Sequence, residues 1–351
     1  MITQIHYKNF KALQDTTLPL GRFTLIVGAN GTGKTTAMQA LKYAQRKQPD
    51  DFKRILSANV KTPLGGEVEV RFFWKSSESI NEYAVNWDDL FGETVSLTER
   101  YVVNGISYSK LDEIPTQVRL RKSVEAPKNA LEEFSIFTFE SERISQAVQV
   151  KGEAKLESHA GNLAGVLDHL RDTEPEKFEE LNVELKKWFP EYDRILFETP
   201  DNGRKAILLR TKVGRHKIKA ADLSHGTLLG LAYLTVAYLP NPPKLVCFEE
   251  PEHGIHPRLL RNIQESLDRL AYPEKFGEKR QPVQVIATTH SPYLLDLYKD
   301  RREEIVIADK DETGVHFNRL IDLPHIEEIL KEQDAPLGDI WFSGVLGGVP
   351  A

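Results

Sequence analysis

The chain has 351 residues, 40% of them hydrophobic and 28% charged, with a formal net charge of −6. This length and apolar share suffice for one large domain or two ordinary ones with a sizeable core, which excludes a disordered chain. The acidic balance excludes a global basic field for nucleic acid, the single cysteine Cys247 excludes an intrachain disulfide framework, and no apolar run reaches the ~20 residues of a membrane span.

Residues 1–28 read as β-rich. Ile2, Ile5 and Tyr7 sit in a first strand, 18–20 in a second, and Phe23-Thr24-Leu25-Ile26-Val27 forms a β-branched, apolar run typical of a buried strand. Lys8-Asn9-Phe10-Lys11 marks a turn, either part of a base pocket or a plain surface turn. The start, Met1-Ile2-Thr3-Gln4-Ile5, lacks the charged-then-apolar pattern of a secretory leader, so with Cys247 a reducing cytoplasm is expected.

Gly28-Ala29-Asn30-Gly31-Thr32-Gly33-Lys34-Thr35 follows that buried strand and fits the phosphate-loop pattern of Gly, four residues, Gly-Lys-Ser/Thr. Thr36 to Tyr43 carries no Pro or Gly and reads as a helix. Glycines let successive N–H groups turn inward toward phosphate oxygens, and the helix N-terminus adds its positive end. Gly28, Asn30, Gly31, Thr32, Gly33, Lys34, Thr35 and Thr36 are therefore the expected ATP contacts. In this pattern Lys34 reaches the β- and γ-phosphates and the Thr35 hydroxyl ligates Mg²⁺.

The chain then turns β again. Segments 67–74, 83–87, 95–103 and 135–139 are strand candidates, read as an antiparallel side sheet. The stretch 110–132 carries Pro115, Pro127 and the basic run Arg119-Leu120-Arg121-Lys122, and reads as an exposed excursion. From about 140 the period becomes helical, with Leu163, Val166, Leu167 and Leu170 on one face. Thr173 offers an N-cap before Pro175, and Phe178, Leu181, Leu185 and Trp188 make a second face ending at Pro190. Asp201-Asn202-Gly203 signals a hairpin. The hairpin carries Arg204, Lys205, Arg210, Lys212, Arg215, Lys217 and Lys219, which suit either a nucleic-acid backbone or a solvated face over Ile207, Leu209 and Ile218.

Leu223-Ser224-His225-Gly226-Thr227 precedes an apolar helix over 228–239, with Ser224 or Thr227 as its cap. Lys244-Leu245-Val246-Cys247-Phe248-Glu249-Glu250-Pro251 is an apolar strand ending in two carboxylates. Adjacent acids are costly inside a strand but fit its C-terminal end, where ligands bind in open α/β sheets. Glu249 suits Mg²⁺, usually through water, and Glu250 suits the role of base toward an attacking water. A third apolar strand, 284–289, ends in His290-Ser291-Pro292, and His290 can bond a γ-phosphate or report its loss. Asp309-Lys310-Asp311 reads as a turn between strands 305–308 and 315–320, since only about forty residues follow it, too few for a nuclease domain.

Together these elements resemble the ABC-type ATPase heads of the SMC, RecF and OLD-like group. The likeness rests on 28–35, 223–227, Glu249-Glu250-Pro251-Glu252 with Gly254-Ile255-His256-Pro257, and Thr289-His290-Ser291-Pro292. Gly161-Asn162-Leu163, Gly338-Asp339-Ile340-Trp341 and Gly347-Gly348 also resemble that group, so the likeness spans nearly the whole chain. It implies an α/β P-loop NTPase of ABC-ATPase type: a mixed central sheet, an antiparallel side sheet and an inserted helical lobe. The expected parts are 1–139, 140–239 and 240–351. It also implies an ATPase whose ATP is sandwiched between two copies, with Ser224 and Gly226 of one facing Lys34 and Thr35 of the other. No sustained heptads occur, and Gln146 is a candidate for the glutamine loop. Two roles stay open: a switch controlling a separately encoded effector such as a nuclease in phage defence, or a RecF-like DNA clamp in repair using 204–219.

Overall fold

In the computed structural model, residues 1–56, 66–75, 80–90, 94–110, 113–114, 126–150, 155–201, 203–332 and 335–348 are described. The basic run 119–122 and Asn202 lie outside them. The strands are β1 Ile2–Phe10, β2 Leu13–Pro19, β3 Phe23–Val27, β4 Glu67–Lys75, β5 Ile80–Leu90, β6 Thr94–Val103, β7 Ile106–Tyr108 and β8 Phe134–Phe137. They continue as β9 Val148–Gln149, β10 Tyr192–Glu198, β11 Arg204–Thr211, β12 Lys217–Lys219, β13 Leu245–Glu249, β14 Gln284–Thr289, β15 Ile305–Asp311 and β16 Gly314–Arg319. The chain divides into two compact units, residues 1–134 with 284–351, and residues 135–283.

The first unit holds two sheets. One runs β2-β1-β4-β5-β6-β7, every pair antiparallel, which is the expected side sheet. Its strands show why they pair: Val68, Val70, Phe72 and Trp74 of β4 alternate inward and are buried, the period of two that a pleated strand imposes. The other sheet runs β16-β15-β3-β14 within this unit. β3 lies parallel to both β14 and β15, and β16 closes antiparallel on β15, so the sheet is mixed. All five residues of β3 are buried, the continuous apolar run of a strand covered on both faces. Thr289 pairs with Val27, so the phosphate loop and His290 leave the sheet at the same end.

The second unit holds β13 beside β8, a small sheet β10-β11-β12 with β9 on β11, and four long helices. The helices are Leu163–Thr173, Pro175–Trp188, His225–Ala237 and Leu260–Ala271. His225–Ala237 is apolar all round and is buried from Thr227 onward, as such a helix must be.

Four expectations are corrected. The segment expected at 135–139 forms β8 beside β13, not a strand of the side sheet. Thr173 ends its helix with its hydroxyl donating to His169 O (2.8 Å), and Glu174 takes the cap position before Pro175. The excursion over 110–132 ends in the helix Ala126–Glu132, where Leu131 is buried and its carbonyl accepts from Gln45 Nε2 at 3.0 Å. The turn expected at Asp309-Lys310-Asp311 falls later: these three residues end β15, pairing with His316, Val315 and Gly314, and the turn is Glu312-Thr313.

Candidate nucleotide site

β3 delivers the chain into the phosphate loop, and the helix Lys34–Arg46 carries it away. Gly31 (φ 86°) and Gly33 (φ 85°) adopt left-handed backbone that residues with a Cβ disfavour. Gly33 is the helix N-cap and offers no side chain, so no side-chain cap meets the first-turn N–H groups. Such an end suits a phosphate anion. Lys34 is buried and donates from Nζ to Gly28 O (2.6 Å) and Ala29 O (2.7 Å). Thr32 also ties the loop, its hydroxyl donating to Ala29 O at 2.9 Å. Asn30, Gly31 and Thr35 are exposed, and Gly33 and Thr36 are half-buried, so one side of the loop is open. These features fit a nucleotide polyphosphate.

His290 is exposed at the end of β14. Its neighbours fix the turn: Ser291 N–H donates to Thr289 Oγ1 (2.9 Å), and Ser291 caps the helix Pro292–Asp296. At the loop's base, Gly28 N–H donates to Thr289 O at 3.3 Å. The first unit thus brings together the phosphate loop and the His290 turn.

In the second unit, β13 is buried through Phe248, and Glu249 at its end and Glu250 just after it are half-buried. Burial pushes the Cys247 thiol far up, so it stays protonated and serves as core. Glu249 Oε2 accepts from Thr138 Oγ1 at 3.1 Å. Glu250 holds left-handed backbone at φ 44°, a strain of about 1 kcal/mol that a non-glycine residue keeps only where its surroundings enforce it. A turn enforces it here, with His253 N–H donating to Glu250 O at 2.8 Å.

The signature residues join this strand through an aromatic core. Phe248 packs on Phe137 (5.4 Å between centroids) and Tyr233 (5.6 Å), and Tyr233 lies in the helix that Ser224 caps. Ser224 Oγ accepts from Thr227 N–H at 3.1 Å. A Cβ on Gly226 would meet Gly254 O at 3.5 Å, and one on Gly254 (φ 71°) would meet Leu229 at 2.9 Å. The second unit therefore brings Gly226, two residues after Ser224, against the turn after Glu250. His256 Nδ1 accepts from Arg258 N–H (3.1 Å), which places the ring proton on Nε2.

Among the described residues no group of three or more His, Cys, Asp and Glu is arranged to hold a metal ion by itself. Thr35 in the first unit offers an exposed hydroxyl and Glu249 in the second a half-buried carboxylate, each an oxygen donor of the kind Mg²⁺ takes.

Thr138 was missed from sequence, where a lone threonine after a short strand carries no signal. Gln146 follows the short helix Ser141–Ile144, its N–H donating to Arg143 O at 3.2 Å; Thr138 is the residue bonded to Glu249. Of the expected turn Lys8-Asn9-Phe10-Lys11, the first three residues belong to β1 and the turn to β2 is Lys11-Ala12; Asn9 (φ 56°) and Lys11 (φ 51°) are left-handed, and Lys11 Nζ lies over the Tyr43 ring.

Four of the hairpin's seven cations, Lys205, Arg210, Arg215 and Lys219, approach carboxylates of their own unit. Arg210 grips Asp193 through two bonds of 2.7 and 2.9 Å, which hold the Asp193 carboxyl below its usual range. Arg215 approaches Asp193 (3.8 Å), Lys219 approaches Glu198 (3.5 Å), Lys205 approaches Asp168 (3.8 Å), and Arg204 donates to Ala147 O. Ile207 and Leu209 are buried beneath, so the solvated-face reading is the one the geometry favours. Among the described residues no helix is long and apolar enough to cross a membrane.

Residues 23–296 match the family model described as "AAA domain, putative AbiEii toxin, Type IV TA system". The OLD nuclease of Thermus scotoductus is 51% identical over 41 residues, which are 12% of this chain and 8% of that protein, so the likeness spans under a tenth of the relative's length. The solved SMC head domain from Thermotoga maritima is 16% identical with a TM-score of 0.48, covering 91% of this chain and 98% of that one.

Proposed function

The chain belongs to this AAA-domain family, a family of ATPases, and from that premise we propose that it binds and hydrolyses ATP with Mg²⁺ and works as a nucleotide-dependent switch. The observation that carries the proposal is the phosphate loop: two left-handed glycines, a helix N-terminus without a side-chain cap, and a buried lysine held beside them.

In this reading Gly28, Asn30, Gly31, Thr32, Gly33 and Thr36 shape and line the phosphate cradle. Lys34 leaves the Gly28 and Ala29 carbonyls to meet phosphate oxygens. Thr35 and Glu249 hold Mg²⁺, which supplies charge neutralisation on the phosphates when bound. Thr138 orients the Glu249 carboxylate. Glu250 accepts the proton of the attacking water, and His290 contacts the γ-phosphate and responds to its departure. Segments 1–139 and 240–351 make up the ATPase core, and 140–239 is the inserted lobe.

Ser224 and Gly226 would face the γ-phosphate of ATP held by a second copy, through the N-terminus of the helix His225–Ala237. ATP then forms part of a homodimer interface, and hydrolysis loosens it. The likeness to an OLD nuclease favours a nuclease as the separately encoded effector, in cytoplasmic antiviral defence. The pairing of four of the hairpin's seven cations weighs against the second reading, a DNA clamp in repair.

The test compares nucleotide binding and phosphate release in the wild type, Lys34→Ala and Glu250→Gln. The wild type should hydrolyse ATP. Lys34→Ala should lose binding, and Glu250→Gln should bind normally but release phosphate at least ~100-fold more slowly. Equal rates in all three would overturn the assignment.

A further inference from the structure

The segment 337–348 contains the Gly-Asp-Ile-Trp and Gly-Gly motifs, to which the nucleotide chemistry assigns no role. It belongs to the first unit and touches both functional turns there. Its short helix, Leu337–Phe342, sits on the turn after His290. Gly338 N–H donates to Asp296 Oδ1 at 2.7 Å. A Cβ on Gly338 would lie 2.5 Å from Pro292 O and 2.7 Å from Pro292 Cβ, so only glycine allows the helix this close. Leu337, Ile340, Trp341 and Leu346 are buried, so the segment is packed in place.

Beyond the helix, three left-handed glycines steer the backbone: Gly344 (φ 85°), Gly347 (φ 75°) and Gly348 (φ 70°). They lead it to the phosphate loop, where Gly348 O accepts from Ala29 N–H at 2.5 Å. A Cβ on Gly348 would meet Ala308 O at 2.9 Å and Gly28 Cα at 3.4 Å. A Cβ on Gly347 would meet the Asp309 carboxylate at 3.0 Å. The backbone therefore lies directly on the base of the loop and on β15, with no room for side chains.

We propose that residues 337–348 form a strap that positions the phosphate loop, Gly348 being a positioning residue for nucleotide binding and Gly338 anchoring the strap to the turn that carries His290. Ala29 lies between Gly28 and Asn30, and its carbonyl already accepts from Lys34 and Thr32. Fixing its N–H as well holds the loop closed at its base, so less ordering is left for the nucleotide to impose. The coupling is reciprocal: displacing the strap weakens nucleotide binding, and bound nucleotide steadies the strap. This inference rests on reading 28–35 as a nucleotide loop.

The test uses the full chain with Gly348→Val, the milder Gly348→Ala, and a chain ending at Ser343. Val345→Ala, a change at an exposed position, is the control. Hydrogen exchange over 28–33 is followed without nucleotide, and ADP affinity is measured without Mg²⁺. Loop exchange should quicken about tenfold, and ADP affinity should fall about tenfold, in Gly348→Val and the shortened chain, with a smaller effect in Gly348→Ala. The control should match the wild type, and ADP should slow exchange over 340–348 in the wild type. Wild-type loop exchange in a folded Gly348→Val or Gly348→Ala protein would overturn the strap, as would lower thermal stability with unchanged loop exchange and ADP affinity. If the wild type binds no ADP while loop exchange still responds to Gly348, the nucleotide reading fails and the strap's contact with the loop stands.

Discussion

Replacing Gly28 by Ala tests how tightly the phosphate loop is built onto its sheet. A Cβ there would lie 2.4 Å from Ala308 O, 2.7 Å from Thr32 Oγ1 and 3.1 Å from Ala308 Cβ. The first is backbone of a central strand, and the second cannot swing away without breaking its bond to Ala29 O. The loop and β15 must therefore part, a strain of about 1–3 kcal/mol. The alanine recovers about 0.4–1 kcal/mol by restricting the unfolded chain. The net loss is about 1–2 kcal/mol, or a fall of roughly 3–6 °C in melting temperature for a unit of about 200 residues. Gly31→Ala is the internal comparison. Its Cβ meets nothing within 4 Å, and only its φ of +86° opposes the change. That costs about 1 kcal/mol and is largely offset by the same unfolded-state gain, so its melting point should stay within about 2 °C of wild type. Circular-dichroism melts of the two variants decide the matter. A Gly28→Ala protein as stable as wild type, or more stable than Gly31→Ala, would refute the close approach of loop and strand.

Two further outcomes follow from the geometry. Ser224→Ala removes the oxygen that accepts from Thr227 N–H, and should cost about 1 kcal/mol in denaturant unfolding while Ser224→Asn retains most of it; equal stability of Ser224→Ala and wild type would contradict the cap. Asp311 has its carboxyl lowered to about 2 by Thr313 and His316, below its unfolded value of about 4. A lowered carboxylate stabilises the fold above the unfolded value and loses that contribution as pH falls from about 4 to about 2. Asp311→Asn should therefore melt below wild type near pH 6, with the gap closing toward pH 2; a gap constant over that range would contradict the assignment.

What was legible from sequence was local chemistry. The loop 28–35 and the apolar runs ending in Glu249-Glu250 and His290 each fix their conformation within a few residues. What was not legible depended on partners distant in the chain. The residues of β8, Phe134-Ser135-Ile136-Phe137, read as a short apolar strand of either sheet, and only packing against β13 decides which they join. Thr138 matters because of Glu249, 111 residues away. Thr173 and Glu174 compete for one cap, and the continued helix upstream decides between them. The strap is glycine-rich and reads as a loop, while its contacts lie on 28–29, 292–296 and 307–309.

The most direct measurement is the solution mass of Glu250→Gln by light scattering, with and without Mg-ATP. The substitution removes the base while leaving the phosphate loop intact, so bound ATP should persist. A mass that doubles with ATP, and fails to double when Ser224→Arg is added, is the expected result for a nucleotide-gated pair of copies. A mass that ignores ATP, in protein shown to bind it, would contradict the switch.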